Sequence, residues 1–178
     1  FSLEHVVPQS LFKKKIPEIS RDMHNIILYP VLLNSHRSNY RYSNELVLDD
    51  TTTILNSNGE KCFYTTPFNH IGFCLKSNKK RYFLPRPFYR GKIARSCMYV
   101  AMTYPELRDT IFNDVIDPFV LLTWHHEYPV SGFEIKKNNA IQKLQGNENI
   151  YVSNPEILLN DMESYLGKRI DIYHDYKW

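Results

Sequence analysis

Residues 3–40 read LEHVVPQSLFKKKIPEISRDMHNIILYPVLLNSHRSNY. Acidic, imidazole, amide and guanidinium groups alternate here with aliphatic side chains, so the stretch is too apolar for a solvated tail. It predicts two short strands, Leu3–Val7 and Ile26–Tyr29, each bounded by a proline or a turn. Pro30 suits the first turn of a helix, because its missing N–H needs no partner there. The predicted local fold is therefore strand, loop, strand, helix.

Three side chains in this stretch have the chemistry of a metal-assisted site. The oxygen atoms of Glu4 and Asn34 suit a hard cation such as Mg²⁺, which takes few protein ligands and keeps several waters. His5 suits the role of general base, because imidazole titrates near neutrality. Successive side chains of a strand point to opposite faces, so Glu4 and His5 can share a site only if the strand ends or bulges there. Pro8 favours such an end.

Length and composition predict one soluble globular domain. The chain has 178 residues, of which 43% are hydrophobic and 14% aromatic, and this is enough for a substantial core. It contains no apolar run of about eighteen residues, so no membrane-spanning helix is expected. The three cysteines are too few for a disulfide framework and no signal peptide is visible, which favours an intracellular or viral setting.

The charges are distributed unevenly along the chain. Residues 1–100 contain 15 Lys and Arg against 7 Asp and Glu, a net charge of +8, whereas residues 101–178 contain 7 against 12, a net charge of −5. The basic half includes the candidate site. A polyanion is an expected partner, because Lys and Arg contacts to phosphate supply most sequence-independent affinity for nucleic acid. A solvated basic face is the alternative interpretation.

The remaining sequence predicts several helices and a less regular middle section. Residues 41–87 alternate β-forming residues with turn signals, which indicates loops and a hairpin. Asp117 and Ser131 have the pattern of helix N-caps, and Gly146 that of a C-cap. The predicted helices are Gly91–Tyr104, Phe119–His126, Gly132–Gln145 and a last one from Asn154 to about Leu166.

Several blocks of sequence, taken in order, resemble the bacterial endonuclease I family. They are EHVVPQS, DMHN, NSHRSNY, FYRGKIARSCMY, W-x4-P-V and E-x3-N-x2-I-x3-Q-G-N-x-N. This family consists of periplasmic or secreted non-specific nucleases with a ββα-metal, or His-Me finger, site. The resemblance covers about residues 3–155. It implies an α+β fold, with short antiparallel strands of a ββα-metal core surrounded by several helices. Residues 1–178 would form one domain that ends in a C-terminal helical extension and tail from about residue 155.

The resemblance implies a role for each of the three candidate side chains. Glu4 and Asn34 would hold one Mg²⁺, for which Mn²⁺ or Ca²⁺ can substitute in binding, and His5 would activate the attacking water. Hydrolysis would leave 5′-phosphate and 3′-hydroxyl ends without a covalent intermediate. The expected substrate is DNA, with RNA as an open alternative. Sequence specificity should be slight, because phosphate contacts do not read bases.

Basic side chains near this site are candidates for contact with nucleic acid. Arg37 and Arg95 match arginine positions of the family, where phosphate contact and anchoring of the site are both open. The family also has a phosphate-stabilising arginine in the loop after the Glu-His strand. In this chain the candidates for that role are Lys13, Lys14, Lys15 and Arg21.

The sequence departs from the family pattern in ways that leave alternatives open. Family members have a longer segment before the Glu-His pair, so a partner chain is one way to complete the N-terminal region. A nuclease-derived nucleic-acid-binding or structural protein without cleavage activity is the alternative function. A zinc enzyme using His24, His125 and His126 is disfavoured, because adjacent histidines lack the i, i+4 spacing of a zinc helix. Asp22 and His24 are expected to support the site without binding metal.

Overall fold

The computed structural model describes residues 1–12, 16–31, 34, 37–44, 54–55, 61–62, 70–73 and 81–171. These residues confirm the α+β class, because short strands in small sheets lie beside several helices. Within these ranges, no helix is long and apolar enough to cross a membrane. The predicted phosphate-binding residues Lys13, Lys14 and Lys15 lie outside the described residues.

The strands are short and form small separate sheets. β1 and β2 form an antiparallel pair, and β3 runs parallel to β7, which also pairs antiparallel with β6; β4 pairs antiparallel with β5. The pairing of β6 with β7 fits the predicted hairpin, whereas the parallel pairing of β3 was not predicted. The strands are β1 (Ser2–His5), β2 (Ile26–Tyr29), β3 (Arg41–Tyr42), β4 (Ile54–Leu55), β5 (Lys61–Cys62), β6 (His70–Phe73) and β7 (Arg81–Leu84).

Helices form most of the second half of the chain. In the first half, Val31, Asn34 and Arg37 are helical and define the Asn34 turn, in which the N–H of Asn34 donates to the carbonyl of Pro30. The helices are α1 (Gln9–Phe12), α2 (Pro87–Thr103), α3 (Arg108–Thr110), α4 (Pro118–Glu127), α5 (Gly132–Gln145), α6 (Ile150–Ser153) and α7 (Ile157–Leu166). Single 3-10 turns occupy Pro17–Ser20, Met23–Asn25 and Pro105–Leu107, and a π turn occupies Ile111–Val115.

The predicted caps of α4 and α5 are confirmed. Asp117 accepts a hydrogen bond from the N–H of Phe119 at 2.8 Å, and Ser131 and Glu134 form a reciprocal capping box. Gly146 ends α5 with φ of 89°, a left-handed conformation that glycine adopts without a steric penalty. These helix ends are encoded locally, which is why the sequence alone places them.

Helix α2 is the centre of the core, and its predicted start was wrong. It begins at Pro87, not at Gly91, because proline is favourable at the first helical position. Its residues 93–101 are buried. It packs against α4, where Trp124 is fully buried, and against the 3-10 turn that leads into β2. Cys97 on α2 is a free buried thiol, and burial raises its pKa to about 12.

Candidate active site

The end of strand β1 brings Glu4 and His5 to one pocket. β1 stops at His5, and the chain then bends through Val6 and Val7 before helix α1. The strand end that the adjacency of Glu4 and His5 requires is therefore present. The pocket has a volume of about 350 Å³ and is lined by Glu4, His5, Pro8, Gln9, Ser10, Arg37, Ser38 and Asn39.

The outer edge of β1 is held by the Asn34 turn. The carbonyl of Leu3 accepts a hydrogen bond from Nδ2 of Asn34 at 3.3 Å, and the carbonyl of His5 accepts one from Nη1 of Arg37 at 3.0 Å. Asn34 and Arg37 lie three residues apart on one helical face, which matches two outward carbonyls of the same strand edge. The spacing of the N-x-x-R sequence thus fixes the helical turn against the strand that carries Glu4 and His5.

The amide of Asn34 is oriented by two hydrogen bonds. Its Nδ2 donates to Oγ of Ser2 at 3.0 Å as well as to the carbonyl of Leu3. A backbone carbonyl can only accept, so the NH₂ end of the amide must face Leu3. The Oδ1 atom has no hydrogen-bond partner among the described residues and is available to a cation.

Glu4 is held by the guanidinium of Arg37. Nη1 of Arg37 lies 2.6 Å from Oε1 of Glu4, and Nη2 donates to the carbonyl of Val6 at 2.8 Å. The guanidinium also stacks on the ring of Tyr42, 4.7 Å from its centre. Arg37 is only 2% exposed. Of the two roles that the sequence left open for Arg37, these contacts correspond to anchoring.

The environment of Glu4 fits a cation ligand. Burial raises the pKa of this carboxyl, and the charge and hydrogen bond of Arg37 offset part of that effect. Oε1 of Glu4 is hydrogen-bonded to Arg37, and Oε2 has no hydrogen-bond partner among the described residues. Oε2 of Glu4 and Oδ1 of Asn34 are hard oxygen atoms of the kind that Mg²⁺ prefers. Glu4 lines the pocket, whereas Asn34 lies outside its lining, on the neighbouring turn.

Two contacts hold the imidazole of His5. Its Nε2 lies 3.0 Å from the carbonyl of Ser20 and 3.2 Å from Nε2 of Gln9. The Ser20 carbonyl can only accept, so this contact favours a proton on Nε2. In the neutral imidazole this leaves Nδ1 unprotonated. The ring is therefore held in the tautomer that can take up a proton at Nδ1.

The other predicted basic residues lie at different positions. Arg95 is 1% exposed and forms a two-pronged ion pair with Glu134, with both N–O distances 2.9 Å. It joins α2 to α5 and does not line the pocket of Glu4 and His5. Arg21 is exposed and directly follows Ser20, whose carbonyl contacts His5. Arg21 is therefore the described loop cation nearest in sequence to the site.

A buried hydrogen-bond network supports the start of β2. Asp22 accepts bonds from the N–H of His24 at 3.0 Å, from the hydroxyls of Tyr99 and Tyr104 at 2.9 Å each, and from Nε2 of Gln145 at 2.9 Å. The charge of Asp22 adds to burial in raising the pKa of both tyrosines. Asp22 thus connects β2 to α2 and to the Q-G-N sequence.

The histidines of the zinc hypothesis have structural contacts. Nε2 of His24 bonds to the carbonyl of Asn147 at 3.2 Å, and Nε2 of His125 bonds to that of Pro155 at 3.1 Å. Within the described ranges, no group of three or more His, Cys, Asp or Glu side chains is arranged to hold a metal. His24, His125 and His126 therefore do not form a zinc site.

Three contributors to the site were missed in the sequence. Gln9 contacts His5 from one turn further along the chain, a spacing that could have been noticed. Ser2 orients Asn34 through its hydroxyl, two residues before Glu4. Ser20 contributes only its backbone carbonyl, and no side-chain pattern can reveal such a group.

Comparisons with known proteins find similarity over most of the chain. A family model described as Endonuclease I matches residues 1–156. An extracellular deoxyribonuclease of Aeromonas hydrophila is 30% identical over 140 residues, which is 76% of this chain and 50% of the relative. A periplasmic deoxyribonuclease of the same species is 29% identical over 133 residues, or 74% of this chain and 46% of the relative. The chain thus spans about half the length of these curated relatives.

Proposed function

The chain belongs to the endonuclease I family, and from this membership we propose that it is a Mg²⁺-dependent endonuclease that hydrolyses DNA with little sequence specificity. The observation that carries the proposal is the pocket that Glu4 and His5 share at the end of β1. The amide of Asn34 is bonded to the carbonyl of Leu3, the residue before Glu4. The two relatives are deoxyribonucleases by name, which favours DNA as the substrate. RNA is kept as a second substrate to be tested.

In this proposal Glu4 and Asn34 would hold the ion through Oε2 and Oδ1. A Mg²⁺ ion held there would supply positive charge against the negative charge that develops on the phosphate and on the leaving oxygen. Mn²⁺ or Ca²⁺ can replace it in binding, because both accept the same oxygen donors. Arg37 offsets part of the effect of burial on the pKa of Glu4 and fixes the direction of its carboxyl group, and Ser2 fixes the amide of Asn34.

His5 acts as the general base. Its Nδ1 accepts a proton from the water that attacks phosphorus, while the Ser20 carbonyl holds the Nε2 proton and stabilises the imidazolium that forms. The bond between phosphorus and the 3′ oxygen breaks, and that oxygen takes up a proton from solvent water, which leaves a 3′-hydroxyl and a 5′-phosphate. No side chain becomes covalently attached to the substrate, because the attacking oxygen comes from water.

The basic residues have separate roles in this proposal. Arg37 and Arg95 anchor the site, because their guanidinium groups are buried in protein contacts. Contact with the DNA backbone is assigned to the loop after β1, whose cations are Lys13, Lys14, Lys15 and Arg21. Contacts of this kind position a duplex without reading its bases, which accounts for low specificity.

Cleavage of supercoiled plasmid tests the proposal. We expect nicked and then linear DNA in Mg²⁺ and no cleavage in EDTA. The product ends should accept a 5′ label from a kinase only after phosphatase treatment. A salt-dependent gel shift without cleavage in Mg²⁺, Mn²⁺ or Ca²⁺ would instead favour the non-cleaving nucleic-acid-binding protein. A parallel assay on single-stranded RNA determines whether RNA is a second substrate.

A further inference from the structure

A second and larger cavity lies apart from the candidate active site. This apolar groove has a volume of about 660 Å³ and shares no lining residue with the pocket of Glu4 and His5. Large apolar side chains at its rim are more than half exposed, a feature that marks docking surfaces when such side chains are contiguous. They are Phe1, Leu3, Leu28, Phe88 and Phe133.

Strand β2 presents an open edge to this groove. The N–H of Val6 donates to the carbonyl of Asn25 at 2.9 Å, so Val6 and Asn25 are a hydrogen-bonded pair. Hydrogen-bonded and non-hydrogen-bonded pairs of opposed residues alternate along an antiparallel ladder. The opposed residues Leu3 and Leu28 are therefore a non-bonded pair, and the N–H and C=O of Leu28 point away from β1. No described residue pairs with these two groups. An extended chain can pair with such an edge.

The orientation of this edge is supported two residues earlier. The carbonyl of Ile26 lies on the same side of β2 as that of Leu28, because backbone groups alternate with period two. Nζ of Lys137, on helix α5, donates to the carbonyl of Ile26. The outer edge of β2 thus faces α5. Among the described residues, its carbonyl at Ile26 has a partner, whereas the backbone groups of Leu28 have none.

The groove also contains a positively charged side chain, Lys92, that an acidic group of a ligand could approach. Nζ of Lys92 lies 3.3 Å from the ring centre of Phe88 and 5.3 Å from that of Phe133. Glu134 lines the groove as well, but its carboxylate is bound by Arg95. In the part of the chain that the structure describes, Lys92 has no salt bridge to a carboxylate. An acidic group entering the groove would therefore meet an ammonium group that lies among aromatic rings and has only a through-space attraction to Glu134.

We propose that this groove is the docking site for an extended polypeptide segment of a partner protein. The segment adds a strand to β2 at Leu28, packs alternate apolar side chains against the exposed rim, and directs an acidic side chain toward Lys92. A polypeptide fits better than a small molecule, because the rim is widely exposed and the open backbone edge favours a repeating donor and acceptor. Such docking is separate from the proposed cleavage of DNA.

Selection of displayed random peptides of about twelve residues on the immobilised chain tests this proposal. Enriched peptides should alternate apolar residues and contain Asp or Glu. Their Kd should rise about tenfold against Phe133→Lys and against Lys92→Gln, and Lys92→Arg should restore it. Leu144→Lys is the matched control on α5, because Leu144 is exposed but does not line the groove. Methylation of the peptide amide that faces β2 should abolish binding.

Other results would overturn the proposal. One such result is that no peptide is enriched on the parent chain relative to the Phe133→Lys variant. Another is that the enriched peptides bind with unchanged Kd after amide methylation, or bind Lys92→Gln as tightly as the parent chain. Dimerisation of the parent chain that is lost in Phe133→Lys would assign the groove to a second copy and so contradict a separate partner. DNA cleavage by each variant, measured in parallel, separates this outcome from failure of the proposed nuclease function.

Discussion

Nη1 of Arg37 lies 2.6 Å from Oε1 of Glu4, and both side chains are withdrawn from solvent. The same guanidinium donates to the carbonyls of His5 and Val6. One side chain therefore fixes both a candidate metal ligand and the backbone at the strand end. Removal of one partner from such a buried pair leaves an uncompensated charge, which costs more than the pair itself contributes.

Arg37→Met should lower the free energy of unfolding by about 3–5 kcal/mol, because it leaves the carboxylate of Glu4 buried without its positively charged partner. Denaturant unfolding measures this change. The control is Arg41→Met, because Arg41 lies 3.6 Å from Asp117 in a partly exposed pair; such a pair contributes about 1 kcal/mol or less. Equal destabilisation by the two variants, with a raised KM for DNA in Arg37→Met, would assign Arg37 to phosphate contact.

Gly91→Ala should destabilise the protein by about 1–3 kcal/mol through overpacking. A Cβ at Gly91 would overlap the backbone carbonyl oxygen of Tyr128 and would lie 2.7 Å from Nη2 of Arg95. The matched control is Gly132→Ala at the start of α5, where a Cβ meets nothing within 4 Å. Thermal unfolding of both variants checks this, and equal melting temperatures would show that α2 has room at Gly91.

Stability should fall as the pH is lowered from about 6.5 toward about 4, in part because of His125. Burial, aided by the positive charge of Arg95, lowers the pKa of His125 from 6.5 to about 4. Between these pH values the unfolded chain binds more protons than the folded chain, so the free energy of unfolding decreases with falling pH. His125→Gln should reduce this slope relative to His126→Gln at the exposed neighbouring position. An unchanged slope in denaturant unfolding between pH 4 and 7 would contradict a partly buried His125 that stays neutral in the folded chain.

Asn34→Ala should weaken Mn²⁺ and Mg²⁺ binding about tenfold, because it removes one of two protein oxygens from the proposed site. Isothermal titration of the ion into the chain without DNA measures this directly. Asn160→Ala, at an exposed position of α7, should leave the affinity unchanged. A metal titration of Asn34→Ala that matches the parent chain would remove Asn34 from the ligand set.

Local signals in the sequence specified some elements and missed others for physical reasons. Strand β2 and the caps of α4 and α5 follow from a few adjacent residues, and they were predicted. The parallel pairing of β3 with β7 joins Arg41 to Tyr82, a separation at which local patterns contain no information. Helix α6 was missed because it has only four residues, although Asn149 caps it by accepting from the N–H of Tyr151.

The candidate site shows the same division. Glu4, His5 and Asn34 could be chosen by side-chain chemistry and by resemblance, without coordinates. The orientation of each depends on tertiary contacts, namely the guanidinium of Arg37 for Glu4 and the carbonyl of Ser20 for His5. The sequence left the role of Arg37 open, because burial is decided by packing from several elements.

The most direct test of the account is the single-turnover rate of plasmid nicking by His5→Ala in Mg²⁺. His5 is partly exposed, so the variant should keep its melting temperature and its affinity for Mn²⁺. We predict that the rate of nicking falls by about 10²–10⁴-fold, the usual contribution of a positioned general base, while His126→Gln nicks at the parent rate. Nicking by His5→Ala at the parent rate would contradict the assignment of His5 as the base.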